Sequence, residues 1–172
     1  MQSLQEQLSF SLKENNSGAN RKKWAARIIE NQINLVDLVE LIHAEYPVAM
    51  RFSWLIGDLC EQKPELVFPT ISYFFSARDQ IKIKNFDRSL AKLFWLSGVP
   101  SEIESEVIDE LFKWLHDPKI TVSTKNYSLF ALQKLTVIHP ELKNELRIVI
   151  EDQLGKNSSS FEKRAGVILG EL

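Results

Sequence analysis

Apolar residues recur along this chain at the spacing of a helical face. Leu4, Leu8 and Leu12 lie four residues apart, and residues three or four positions apart share one side of an α-helix. Similar stripes cover residues 24–29 and 35–42. This N-terminal part of the chain therefore predicts three helices separated by short polar breaks.

The stripes continue to the end of the chain and come in pairs. The pattern predicts helix pairs over residues 19–45, 47–77, 85–116 and 121–154. A capping helix over residues 1–13 precedes the pairs, and a terminal helix over residues 161–172 follows them. Residues 81–84 alternate in polarity but are too short to build a sheet. We expect an all-α fold in one domain over residues 1–172.

Several residues mark predicted helix ends. Ser101 followed by Glu104 has the spacing of a capping box, in which the Ser side chain accepts a hydrogen bond from the backbone three residues on. Ser160 is a second candidate cap, and Pro64 suits the first turn of a helix, although Pro69 is expected to kink its start. Cations are stabilised at helix C-termini, which favours end positions for the histidines His43, His116 and His139.

One nine-residue phrase occurs twice. Residues 51–59 and 164–172 share an Arg, a small third residue, three apolar residues, a Gly, an acid and a closing Leu. Counted from Arg51, equivalent positions fall near Asp87, Tyr127 and Arg164, at steps of 36, 40 and 37 residues. These steps lie in the range of helical-pair repeats.

The phrase resembles the HEAT-like, or armadillo-like, family of helical repeats. The residues that carry the resemblance are Arg51, Leu55 to Leu59, the helix start at Pro64 to Val67, Arg164, Ala165 and Leu169 to Leu172. The resemblance implies an α-α superhelix, a right-handed solenoid of about four helix pairs plus terminal helices, whose units share one core by stacking. In such folds the second helices line a concave face. Gly57 and Gly170 are expected to let neighbouring helices approach closely.

Composition narrows the functional classes. The formal net charge of −2 disfavours general nucleic-acid binding, which needs a basic excess. The single cysteine, Cys60, excludes an internal disulfide and a thiolate metal cluster. The N-terminus lacks the pattern of a signal peptide, and the longest uncharged run, residues 66–77, is too short to span a bilayer. We expect a cytoplasmic protein without a membrane, cofactor or metal partner.

Charge is nevertheless uneven along the chain. Residues 78–92 hold five bases and two acids, whereas residues 101–117 hold six acids and one base. Such asymmetry gives the molecule a dipole that can steer a charged partner. Arg51 and Asp58 are seven apart, as are Arg164 and Glu171. Because that spacing recurs with the repeat, a structural ladder is favoured over a catalytic pair.

The tryptophans divide into two predicted classes. Trp24, Trp54 and Trp95 lie in apolar stripes and are expected in the core, whereas Trp114 lies beside Lys113 and slightly off its stripe, so it is the best candidate for a partly exposed aromatic. The candidate binding residues are Tyr73, Arg78, Lys82, Lys84, Arg88, Lys113 and Trp114. No catalytic motif or metal-ligand spacing is found.

Three functions remain open at this point. A non-enzymatic scaffold that binds a protein or peptide on its concave face needs no catalytic motif, and is favoured. The alternative, implied by the resemblance, is a HEAT-like DNA glycosylase or similar DNA-repair enzyme acting on alkylated bases. Its candidate residues are the bases between Arg78 and Lys92, Asp58 and the tryptophans, and nucleic acid would then be the partner. The third is a self-associating module that docks through residues 161–172. We expect a monomer or a weak homodimer.

Overall fold

The chain is all-α, as predicted. A computed structural model describes residues 2–172, in which α-helices and 3-10 helices together hold 78% of the residues and no strand occurs. Within this range, no helix is both long and apolar enough to cross a membrane. The backbone forms two compact units, Met1–Phe86 and Asp87–Leu172, which we call unit 1 and unit 2 and describe in turn.

Unit 1 is built around one central helix. Its α-helices are α1 (Leu4–Glu14), α2 (Gly18–Glu30), α3 (Val48–Gln62), α4 (Pro64–Val67) and α5 (Ile71–Ser76), and its 3-10 segments are Leu35–His43, Phe68–Thr70 and Arg78–Gln80. Helix α3 packs against α1, α2, α4 and the first 3-10 segment. Phe52, Leu55 and Leu59 are fully buried on its inner face, so α3 holds the core of this unit together.

The third predicted helix forms as a 3-10 helix. Leu35–His43 makes nine residues of this tighter form, which has three residues per turn. Leu35, Leu38 and Leu41 therefore fall on one line, and all three are buried. Side chains three apart share a face in both helix types, so apolar spacing alone does not separate them.

Proline shapes the partner helix of α3. Pro64 occupies the first turn of α4, as expected. Phe68–Thr70, which contains Pro69, is a 3-10 turn between α4 and α5, because proline removes a backbone donor and crowds the preceding turn. The helix that begins at Pro64 is therefore interrupted at Pro69.

Unit 2 has two layers of helices. Its elements are α6 (Phe86–Ser97), the 3-10 turn Ser101–Ile103, α7 (Glu104–His116), α8 (Val122–Ile138), α9 (Leu142–Gln153) and α10 (Ser159–Glu171). The first residue of α6, Phe86, belongs to unit 1. Helix α8 packs against α7, α9 and α10, and α7 packs against α9. Trp95 of α6 stacks on Tyr127 and Phe130 of α8. One layer thus holds α6, α8 and α10, and the other holds α7 and α9.

The predicted capping residues are wrong in detail. Ser101 begins a 3-10 turn, and α7 starts at Glu104 without a side-chain cap. The Glu104 carboxylate instead contacts Nε2 of His139 at 2.7 Å. At α10 the cap position is Ser158, and Ser160 Oγ accepts a hydrogen bond from Asn126. The capping box that does form, between Ser3 and Glu6 at α1, was missed.

The glycines of the second phrase do not mediate close packing. A Cβ added at Gly166 or Gly170 would meet no atom within 4 Å, so the expectation of close approach is wrong at Gly170. Gly155, just after α9, is different because its φ of 77° lies in the left-handed region. That conformation favours glycine at the end of a helix.

The Arg and the acid of the first phrase do not pair with each other. Arg51 Nη1 donates to the carbonyl oxygens of Leu12 and Lys13 at 2.6 and 2.9 Å. Asp58 Oδ2 accepts from Arg21 Nε at 2.9 Å. The two side chains therefore join α3 to the end of α1 and to α2. Their role is structural, as predicted, but each side chain bonds to another helix and not to the other member of the phrase.

Candidate functional site

The predicted binding residues fall in both units. Tyr73, Arg78, Lys82 and Lys84 belong to unit 1, whereas Arg88, Lys113 and Trp114 belong to unit 2. Each set is described in its own unit. Within unit 1, two of the four line a cavity and a third lies one hydrogen bond away from it.

The unit 1 cavity has a volume of about 810 Å³. Its lining comes from the end of the first 3-10 segment, the turn that follows, the start of α3, and residues 80–84: Ile42, His43, Ala44, Glu45, Tyr46, Ala49, Met50, Gln80, Lys82, Ile83 and Lys84. A pocket of this size suits a peptide side chain or a small ligand. We call it the unit 1 cavity below.

Local sequence explains how the charged lining is presented. Residues 81–85 follow the short Arg78–Gln80 turn without forming a helix. Because polarity alternates there, Ile81 is buried while Lys82 and Lys84 are exposed. Tyr46, on the turn before α3, is 79% exposed. The cavity therefore combines an apolar floor with two ammonium groups and an accessible aromatic ring.

A hydrogen-bonded chain stands beside the cavity. The Tyr73 hydroxyl donates to Glu40 Oε1 at 2.7 Å and lies 3.1 Å from Nε2 of His43. The rings of His43 and Tyr73 also meet edge to face. Burial, together with the hydrogen bond and negative charge of Glu40, raises the pKa of Tyr73 to about 12. This phenol therefore stays protonated at neutral pH.

Arg78 contacts the end of α5. Its Nη1 donates to the Phe75 carbonyl at 2.7 Å, and its guanidinium lies 4.0 Å from the centre of the Phe75 ring. The side chain thus covers the C-terminal end of α5, which a cation stabilises. This contact explains Arg78 structurally.

The exposure predicted for two tryptophans is reversed. Trp114 is only 5% exposed, because α7 packs against both α8 and α9 and so buries a wider arc than one apolar stripe. Trp54 is 40% exposed and lies under the guanidinium of Arg21 at 5.4 Å. The expectation of a partly exposed Trp114 is wrong, and so is that of a core Trp54. Lys113, next to Trp114, is exposed and reaches Glu110 at 3.4 Å.

Arg88 belongs to an aromatic surface that the sequence patterns did not indicate. Its guanidinium lies 5.8 Å from the centre of the Tyr127 ring. Tyr127 stacks on Trp95, which also stacks on Phe130. The signal available beforehand was the aromatic residue at the fourth phrase position, where Phe130 matches Trp54.

A buried lysine lies elsewhere in unit 2. Lys125 is 3% exposed, and its Nζ donates to Gln153 Oε1 at 3.2 Å. Burial lowers the pKa of Lys125, and the charge of Asp117 acts in the opposite direction. Asn157 donates to the same Gln153 oxygen. The side-chain oxygen of Gln153 thus accepts from both Lys125 and Asn157 inside the unit.

The histidines lie at helix ends, as predicted, but two of them contact other elements. His43 ends the first 3-10 segment and reaches Tyr73, while His139 follows α8 and contacts Glu104 and Glu141. Within residues 2–172, no cluster of three or more His, Cys, Asp or Glu side chains has the arrangement of a metal site.

Comparison with known proteins adds no relative. The chain matched no protein-family model, no curated protein and no solved structure. Its functional interpretation therefore rests on the geometry described above.

Proposed function

We propose that this chain is a non-enzymatic helical-repeat module that binds a segment of a partner protein at the unit 1 cavity. The observation that carries the proposal is the cavity itself, which joins an apolar floor to Lys82, Lys84 and the exposed Tyr46. Interfaces draw their affinity from aromatic and apolar anchors, and basic side chains at the rim add specificity and faster association.

The hydrogen-bonded chain beside the cavity supports binding over catalysis. A general acid or base works best with a pKa near the operating pH, whereas Tyr73 is shifted to about 12. The three side chains His43, Tyr73 and Glu40 satisfy one another. Their hydrogen bonds join the first 3-10 segment to α5.

The repeat architecture is part of the same proposal. Side-chain hydrogen bonds within each unit join first helices at nearly constant sequence separations, 37 for Arg21–Asp58 and for Asp87–Thr124 and 39 for Lys134–Trp95. These values match the helix-pair steps read from the sequence. They support a HEAT-like stack of helix pairs in which each pair completes its core against its neighbours.

The DNA glycosylase alternative has weaker support. Asp58, its candidate acid, is held by Arg21 at 2.9 Å. The bases between residues 78 and 92 also have separate surroundings, since Arg78 covers Phe75 and Arg88 covers Tyr127. Titration with duplex DNA at two salt concentrations separates the readings: strong, salt-dependent binding favours the enzyme, and its absence favours the scaffold.

The direct test is selection of peptides from a random displayed library on the wild-type protein. We expect the selected peptides to lose about tenfold or more in affinity for the double variant Lys82→Glu, Lys84→Glu, since two favourable rim charges become repulsive. Tyr46→Ala removes the exposed anchor ring and is expected to weaken the same peptides without changing the charge.

A matched control is available on α2. Lys22 and Lys23 are both exposed in unit 1, so Lys22→Glu, Lys23→Glu makes the same charge change away from the cavity. If both double variants lose the peptides equally, or if selection enriches no peptide, the cavity is not the binding site. Circular dichroism of each variant confirms that it is folded.

A further inference from the structure

We propose that the α6–α8–α10 layer of unit 2 is a second binding surface, and that it takes an acidic segment of a partner protein. This surface belongs to unit 2 and differs in its chemistry from the unit 1 cavity. The proposal rests on an ordered row of side chains, on the charge of the layer, and on a groove between α8 and α10.

The row alternates cations and rings. Arg88 lies over Tyr127, Tyr127 and Phe130 both stack on Trp95, and Arg164 lies over Phe130. The ring centres are 5.6 Å apart for Trp95 and Tyr127 and 4.8 Å apart for Trp95 and Phe130. The Arg164 guanidinium is 4.7 Å from the Phe130 ring. We call these five residues the arginine–aromatic row.

Both arginines of the row lack an acidic partner. Arg88 and Arg164 are exposed, and among residues 2–172 no carboxylate lies within ion-pair distance of either guanidinium. A ring face restrains the planar guanidinium and leaves its N–H edges available. The guanidinium groups of Arg88 and Arg164 can therefore each bind a carboxylate through two parallel N–H groups.

The charge of the layer is complementary to an acidic partner. Helices α6, α8 and α10 carry three acids and, apart from the buried Lys125, five bases, whereas α7 and α9 carry three bases and seven acids. The three acids of the first layer already accept hydrogen bonds inside unit 2: Asp87 from Thr124, Glu162 from the Gly155 amide and Glu171 from Gln133. An acidic segment is thus attracted to this layer and repelled from the other.

A groove beside the row offers an apolar anchor site. It has a volume of about 670 Å³ and lies between α8 and α10. Its lining includes the apolar Phe130, Val167 and Ile168, the bases Lys163 and Arg164, and Glu171, whose carboxylate accepts a hydrogen bond from Gln133. Val167 is 58% exposed. An acidic segment that carries an aliphatic side chain can place that side chain in the groove while its carboxylates meet the basic residues.

The row favours a protein segment over single-stranded nucleic acid. Proteins that bind single strands use ring faces on which bases stack. Here the rings of Trp95, Tyr127 and Phe130 are stacked on each other, and the two arginines cover further faces. The arginine N–H groups therefore remain available to bind carboxylates, whereas these ring faces are already covered and cannot stack with bases.

Fluorescence anisotropy with a labelled peptide, in which one Leu follows every three Glu residues, tests the proposal on the full chain. We expect the double variant Arg88→Ala, Arg164→Ala to weaken binding about tenfold or more, because two charge-assisted contacts are lost. The control Lys119→Ala, Lys156→Ala removes the same charge from exposed positions outside the layer. It is expected to change the affinity less than about twofold.

Each other outcome overturns the proposal. Failure of the wild-type protein to bind the peptide does so, as does equal weakening in both double variants, which would show a response to net charge alone. Tighter binding of an oligothymidylate that displaces the peptide would assign the surface to nucleic acid. The variant Lys82→Glu, Lys84→Glu is expected to retain peptide binding at unit 2, so this result stands apart from the test of the unit 1 cavity.

Discussion

The two copies of the nine-residue phrase, one in each unit, share two buried positions but use their arginines in opposite ways. Phe52 and Leu55 are fully buried in α3, and Ala165 and Ile168 are buried at the same phrase positions in α10. Arg51 turns inward to two carbonyl oxygens at the end of α1, whereas Arg164 lies outside over Phe130. A shared apolar pattern therefore sets which face is buried, while the neighbouring helices decide what the polar residues do.

The acids at the eighth phrase position behave alike. Asp58 accepts from Arg21 of α2, and Glu171 accepts from Gln133 of α8. Each bond joins the helix of the phrase to an earlier helix of the same unit, over 37 residues for Asp58 and 38 residues for Glu171. The acid of the phrase therefore makes the same kind of contact in both copies, whereas the arginine does not.

The largest expected effect concerns the core position of each copy. Leu55→Ala is expected to lower the free energy of unfolding by about 3 to 4 kcal/mol, and Ile168→Ala by about 2 to 3 kcal/mol, because both changes leave a cavity. Helix α3 packs against more elements than α10 does, so its site has less freedom to collapse. Urea unfolding followed by circular dichroism gives both values; an equal or reversed order would contradict the comparison.

The arginines should differ more sharply. Arg51→Ala is expected to lower the free energy of unfolding by about 2 kcal/mol, because hydrogen bonds from a charged donor are lost and two carbonyl oxygens lose their partner. Arg164→Ala should change it by less than about 0.5 kcal/mol, as for most exposed positions. The same urea titrations measure both.

A conservative control separates charge from geometry at these positions. Arg51→Lys keeps the charge but lacks the planar fork, so it should recover only part of the loss. Similar losses in Arg51→Ala and Arg164→Ala would show that the two arginines have one structural role, and would also weaken the case that Arg164 is held for a ligand.

The acids should give small and similar effects. Asp58→Asn is expected to lower the free energy of unfolding by about 0.5 kcal/mol, a value reduced for solvent because both partners are partly exposed. Glu171→Gln, whose partner is neutral, should change it by less. A double-mutant cycle between Asp58 and Arg21, at low and high salt, tests the pair: no coupling at low salt would remove the ion pair from the comparison.

Sequence patterns predicted most of the helices because a helix that is buried on one side repeats its apolar residues every three to four positions. They did not predict which helix buries which aromatic. Trp114 is covered because both α8 and α9 pack against α7, whereas Trp54 stays 40% exposed with the Arg21 guanidinium over its ring. That information concerns neighbours distant in sequence, and the local stripe does not contain it.

The capping residues show the same limit. Ser3 and Ser101 each precede a Glu by three residues, yet only Ser3 forms the box. Glu104 is drawn to His139, 35 residues away, and residues 101–103 form a 3-10 turn. Among the residues of the two proposed binding sites, the sequence patterns named Lys82, Lys84 and Arg88. They did not indicate the arginine–aromatic row, because its rings come from different helices.

The smallest expected effect is a pH dependence that belongs to unit 2 but to neither phrase copy. The hydrogen bond to Glu104 is the main reason that the pKa of His139 lies above its ordinary 6.5, with smaller contributions from the charges of Glu104 and Glu141. A raised pKa in the folded state means that the folded chain holds this proton more tightly than the unfolded chain does. The contribution is therefore complete below pH 6.5 and is lost as the pH rises through the raised value.

Urea midpoints measured from about pH 5.5 to about pH 8.5 reveal this loss as a slope. His139→Gln should flatten the slope, and Glu104→Gln should flatten it as well, because each removes one side of the contact between α7 and the end of α8. Arg51→Ala and Arg164→Ala should leave it unchanged, since the contacts of both phrase copies contain no histidine. A slope that persists in His139→Gln would place the titrating group elsewhere, and a slope altered by Arg164→Ala would tie the second phrase to the α7–α8 corner after all.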